Sequence, residues 1–295
     1  MNIEDQSIQL SVLDLVAVLE GQTHKEAIGD MVNLAQHTEK LGYHRYWLTE
    51  HHNMPAVISS ATSILIGHVL ENTQSIRVGS GGIMLPNHAP LVVAEQFGTL
   101  ETMYPKRVDL GLGRAPGTDM RTVHALRRTT QETAFSFPQD VLELQNYFKS
   151  LDLQEMVRAI PGVDSNVPIY ILGSSTSSAA LAARLGLPYV FAAHFAPTQL
   201  EQALHIYRNQ FTPSEYLAKP YVMVCVNVVA ADSIEEAKKL STSTDRFYLN
   251  VVKRTENLLQ PPVDSMDGLW NSFEESAVRS MSSYSFKGDK KAIQE

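Results

Sequence analysis

Residues 47–53 read Trp47-Leu48-Thr49-Glu50-His51-His52-Asn53, an apolar strand that ends in an acid and two adjacent histidines. This is the first of four clusters placed just after an expected strand. The others are Gly79-Ser80-Gly81-Gly82, Gly111-Leu112-Gly113-Arg114-Ala115-Pro116-Gly117 and Gly173-Ser174-Ser175-Thr176-Ser177-Ser178. When several strand ends each supply polar or glycine-rich groups, a parallel barrel gathers them most economically on one face.

Outward from that stretch, strands and helices alternate. Ile8 to Val16 is an apolar run bounded by polar residues, and Lys25 to Leu41 has helical spacing with Gly42 as its stop. Arg45–Thr49, Ile76–Gly79, Arg107–Leu112, Val167–Leu172, Tyr189–Ala192 and Tyr221–Ala230 read as further strands. Helical sequence follows each: Ser60–Leu70, a helix opened by Pro90, material running to Lys149 with a break near Phe137-Pro138, Thr176–Leu185, Thr198–Phe211, and a helix opened by the Ser233 to Glu236 capping box. Seven strands with helical crossovers predict one parallel α/β domain over residues 1–295, a (β/α)8 barrel. Closure needs eight strands, so the final strand and helix are expected to be absent from this chain, whose last helix begins near Gly288-Asp289-Lys290. A doubly wound open sheet is the alternative.

The net charge of −8, from 24 basic and 32 acidic residues, leans away from a nucleic-acid surface. The chain opens Met-Asn-Ile-Glu-Asp with no secretory pattern, and Tyr221 to Ala231 is too short to span a bilayer. A cytoplasmic protein is expected. The one cysteine, Cys225, reads as a buried structural thiol.

Gly173 to Ser178 joins a strand to a helix, where free backbone N–H groups and the helix dipole favour an anion. One serine suffices to cap a helix; four serines and a threonine after a glycine favour a phosphate. Arg114 is placed to reach the same anion, or is simply a surface arginine. Gly81-Gly82 offers bare backbone to a flat ligand, or makes a tight strand-to-loop turn. His51 and His52 are consecutive, so on extended chain they point apart and are poorly placed to share a metal. One is read as a pocket acid or base and the other as structural, with His194 a second pocket candidate. No six-residue dinucleotide fingerprint occurs, and Asn87-His88 has no decisive meaning alone.

At these residues the chain resembles the bacterial luciferase-like flavin monooxygenase family, in its single-chain branch. The similarity runs through Glu50-His51-His52, Val78 to Pro90, Leu110 to Asp119 and Gly173 to Pro188. It implies a barrel that binds FMN at the carboxyl ends of its strands. Ser175 and Ser178, with the Ser174 backbone and Arg114, would hold the phosphate, and Arg127 or Arg128 would add a contact. Gly81-Gly82 would be a cis peptide beneath the ring, and His51 matches the family's catalytic histidine. The resemblance also implies a homodimer and a separate NAD(P)H:flavin reductase that delivers reduced FMN.

The expected activity is therefore oxidation of a small organic substrate by O2 and reduced FMN. Rival readings are hydride transfer with the deazaflavin F420, flavin binding without catalysis, and a metal-dependent hydrolase using His51, His52 and His194. Specificity is expected from the loops Thr118–Phe137 and Pro261–Phe273, where Phe135, Phe137, Trp270 and Phe273 suggest an apolar pocket, though loose surface packing explains them as well.

Overall fold

The computed structural model describes residues 8–115, 119–126, 130–154 and 156–294, the side chains of 130–135 excepted. Its elements in chain order are β1 (Ser11–Asp14), α1 (His24–Lys40), β2 (Arg45–Leu48), α2 (Thr62–Glu71), β3 (Arg77–Met84), α3 (Pro90–Met103), β4 (Val108–Gly113), α4 (Met120–Ala125) and α5 (Thr130–Tyr147). Then come β5 (Ile169–Gly173), α6 (Thr176–Leu185), β6 (Tyr189–Phe191), α7 (Leu200–Gln210), β7 (Val222–Val224), β8 (Asn227–Ala230), α8 (Ile234–Lys253), α9 (Ser272–Met281), β9 (Ser285–Gly288) and α10 (Lys290–Gln294). The main sheet has seven strands in the order β1 to β7. Parallel neighbours cannot be joined by a tight turn, so a helix intervenes at nearly every step.

Two compact units make up the chain. One draws on residues up to Val16, Lys25–Asn53 and Ile58–Ile169, the other on Ala17–His24, Met54–Val57 and the residues from Tyr170 onward.

In the first unit β1, β2, β3 and β4 pair in parallel register, and the Leu110 N–H donates to the Pro168 carbonyl just before β5. All four residues of β2 are buried, which fits a strand covered on both faces. The charged Arg45 finds its partner locally: Asp109 on β4, fully buried, accepts from Arg45 Nε and Trp47 Nε1 at 3.1 Å each and from Arg77 Nε at 2.9 Å. A Cβ on Gly79 would overlap the Asp109 backbone, so the cluster needs glycine there. The helix opened by Pro90 buries Val93, Ala94, Phe97 and Leu100 at helical spacing; Tyr104 is its cap and is only half-buried.

Two expectations for this unit need correction. The strand near residue 76 has eight residues, so Gly81-Gly82 lies inside β3, at a register shift between Ser80 and Ile83. The Gly81–Gly82 peptide is cis. Nor does the helix break at Phe137-Pro138: α5 runs through Pro138. Proline inside a helix costs about 3 kcal/mol. Burial of Phe137, Val141 and Leu144, each 1% exposed or less, offsets it.

In the second unit β5, β6 and β7 pair in parallel. The helix α6 begins at Ser175 and stops at Gly186, whose φ of 62° is left-handed. Its inner face is Ala179, Ala182 and Ala183, all fully buried. Tyr221 to Ala230 is not one strand. The chain leaves β7 at Cys225, and Asn227 Nδ2 donates to the His194 carbonyl, Tyr248 Oη and Ser285 Oγ. These bonds turn the backbone into β8, which pairs in parallel with β9 in a sheet of its own. The Ser285–Gly288 strand was not among the seven expected from sequence, and it does not supply an eighth to the main sheet. Cys225 is half-buried, not fully buried as expected, and the burial it has raises its thiol to about 11.

The expected loop Pro261–Phe273 leads into α9, opened by a capping box between Asn271 and Glu274. Trp270 packs against the cluster of Tyr248, Leu249, Met266 and Val278, while Phe273 is 77% exposed. Phe137 belongs to the core of the first unit. The Phe135 side chain lies outside the described residues. Among the described residues no helix is long and apolar enough to cross a membrane.

Candidate active site

The first unit carries a polar cluster at the carboxyl ends of β2 and β3. Glu50, two residues past β2, is 1% exposed. Its Oε1 meets His52 Nε2 at 2.8 Å, His88 Nε2 at 2.9 Å and Asn87 Nδ2 at 3.2 Å. Its Oε2 accepts the Met84 N–H at 2.9 Å and also meets His88 Nε2, at 3.0 Å. Burial alone would raise this acid; the bonds from His52 and His88, the charge of His88 and the Met84 amide outweigh it and bring it down to about 2. The carboxylate is therefore ionised at any ordinary pH.

His51 sits half-buried between this carboxylate and His52 in the chain. Asn53 follows with a φ of 52°, a left-handed conformation that asparagine tolerates. Its Nδ2 donates to Asp119 Oδ2 at 3.2 Å, and Asp119 in turn caps α4 through the Arg121 and Thr122 amides. Those bonds, the Thr122 hydroxyl foremost, hold the Asp119 carboxyl well below the usual range. Gly81 is packed so closely that an added Cβ would lie 2.5 Å from Leu13 Cδ1 and 3.2 Å from Trp47 Cε3. Arg114 follows β4 directly and is exposed. Pro116, Gly117, Thr118, Arg127 and Arg128 lie outside the described residues.

Beyond β1, Tyr46 Oη donates to Asp14 in a short bond, and the Val16 amide donates to the same carboxylate at 2.8 Å. Burial raises Asp14 despite both bonds.

The second unit carries the serine-rich turn between β5 and α6. Ser175 caps the helix by accepting the Ser178 N–H, and its Oγ lies 2.9 Å from Ser177 Oγ. Ser177 is exposed, Ser174 half-buried. Ser178 points the other way: buried, its hydroxyl donates to the Ser175 carbonyl at 2.7 Å and meets Tyr189 Oη at 3.1 Å. His194, past β6, uses its backbone, the carbonyl accepting from Tyr248 Oη at 2.6 Å. Among the described residues, no three His, Cys, Asp or Glu side chains are grouped to hold a metal ion.

Sequence reasoning named His51, Gly81, Gly82, Arg114, Ser174, Ser175 and Ser178 but missed Glu50, Asn87 and His88 as one cluster. The signal was an acid ending an apolar strand, which is costly unless the carboxylate is satisfied.

Parallel strands alternating with helices, with polar groups set at the carboxyl ends of the strands, define a βα-barrel protein. The chain belongs to the luciferase-like monooxygenase family, whose model matches residues 8–290. It is 50% identical over 289 residues to a luciferase-like monooxygenase of Escherichia coli K12, covering 98% of this chain and 86% of that protein. The crystal structure of apo-MsnO8 superposes with a TM-score of 0.84 at 30% identity, covering 97% of this chain and 86% of that one. Two structures at 14–15% identity share the fold: the oxygenating constituent of a 3,6-diketocamphane monooxygenase of Pseudomonas putida in complex with FMN (TM-score 0.70) and an F420-dependent secondary alcohol dehydrogenase (TM-score 0.69), covering 97% and 95% of this chain and 86% and 85% of theirs.

Proposed function

We propose that this protein is a flavin-dependent monooxygenase that uses reduced FMN, delivered by a separate NAD(P)H:flavin reductase, and O2 to oxidise a small organic substrate. The observation that carries the reading is the turn between β5 and α6. A Cβ on Gly173 would overlap the Ser178 hydroxyl, so the strand can enter this turn only as glycine. The turn then presents Ser174, the Ser175 and Ser177 hydroxyls and the positive end of a ten-residue helix. That donor set fits the phosphate of FMN.

In this reading Ser175 and the Ser174 backbone hold the phosphate, and Ser178 keeps the turn in shape from behind. The bare backbone at Gly81-Gly82 seats the ring. His51 holds or gives a proton beside it. Bound reduced FMN supplies the electrons that activate O2. A cytoplasmic homodimer accords with the family resemblance, and sedimentation of the purified protein would test the dimer.

The test is O2 uptake by the purified protein supplied with reduced FMN. Substrate-dependent uptake is expected. FMN binding without uptake would make this a flavin-binding protein instead. The F420-dependent neighbour motivates the second reading, in which anaerobic turnover with F420 would replace uptake with FMN.

A further inference from the structure

The Glu50 carboxylate has four hydrogen-bond partners, and they come from both sides of the glycine pair. Two are imidazoles, one is a backbone amide at the last residue of β3, and one is the Asn87 amide in the turn beyond it. Each histidine meets the carboxylate through the same ring atom, Nε2.

An ionised carboxylate only accepts hydrogen bonds. A ring nitrogen at 2.8–2.9 Å from it must therefore carry its proton. When such a ring is neutral, its other nitrogen, Nδ1, is the lone-pair atom. The same carboxylate takes the Met84 N–H, which cannot be anything but a donor. Glu50 thus tethers the end of β3, two residues past Gly82, to the residue that precedes His51.

We propose that Glu50 is a positioning residue: it fixes His52 and His88 as Nε2–H rings and pins the backbone on either side of His51 to the end of β3. The connection to His51 chemistry rests on the monooxygenase reading above; the ring assignment does not.

The test uses the full-length protein labelled with 15N-histidine, with His52→Gln and His88→Gln to assign the signals. In the wild type both rings are expected to show a protonated Nε2 whose proton exchanges slowly with water. A bare Nε2 on either ring would overturn the proposal. Glu50→Gln leaves one acceptor oxygen in place of two, so at least one ring proton should exchange about tenfold faster or more. Folded Glu50→Gln protein with both protons unchanged would also overturn it. A failure to fold leaves the wild-type spectrum to decide.

With reduced FMN, Glu50→Gln should lower kcat while the Kd for FMN stays within a few fold, because the serine turn is untouched. Equal losses in both would overturn the positioning of His51. Both ring protons protected, without any flavin-dependent O2 uptake, would overturn the monooxygenase reading alone.

Discussion

A Cβ placed on Gly173 would lie 2.5 Å from the Cβ of Ser178, with its hydroxyl closer still. The glycine ending β5 and the serine in the first turn of α6 thus share one space. Gly173→Ala should push Ser178 off the Ser175 carbonyl, cost about 1–3 kcal/mol of stability and weaken FMN binding. Thermal melting and a flavin titration of the same variant measure the two effects. Wild-type values in both would show that the turn has room to spare.

Asp109 pairs with both Arg45 and Arg77 inside the first unit. Removing one member of a buried ion cluster strands the rest without compensation, at about 3–5 kcal/mol. Asp109→Ala should lose stability on that scale in urea denaturation, and the triple replacement with Arg45→Met and Arg77→Met should lose less. A loss below 1 kcal/mol (roughly a surface ion pair) would contradict the burial.

Glu50 gives stability a definite pH dependence. Its folded value, about 2, lies below the usual 4.5, so its contribution is complete above 4.5 and is lost as the pH falls towards 2. The amount is on the order of 3 kcal/mol. Denaturation between pH 5 and pH 2 should show a slope in the wild type that Glu50→Gln flattens. An identical slope in both would assign the acid sensitivity to other carboxylates.

His51→Ala should lower turnover by about a hundredfold, the usual worth of a positioned acid or base. FMN affinity should remain within a few fold. Stopped-flow turnover and an equilibrium titration separate the two. Loss of flavin binding in a folded variant would make His51 a binding residue.

Much of this was legible because the signals were local. Ser175 and Gly186 bound α6 where their residue types require, and Val93, Phe97 and Leu100 face inward at the spacing that marked them. What stayed hidden depended on partners far along the chain. His88 meets Glu50 across 38 residues, and neither position announces the other. The glycine pair concealed half of β3, because strand propensity is weakest at glycine. Val222 to Ala230 is strand-like apart from Asn227, whose bonds to His194, Tyr248 and Ser285 lie where the run divides. Pro138 sits in a helix because the apolar residues around it are worth more buried than the lost bond costs.

The most direct measurement is anaerobic titration of the protein with reduced FMN and with reduced riboflavin, which lacks the phosphate. FMN should bind about tenfold tighter or more, a margin of at least 1.4 kcal/mol, and Ser175→Ala with Ser177→Ala should narrow the difference. Equal affinity for the two flavins in the wild-type protein would contradict a phosphate grip at the β5–α6 turn.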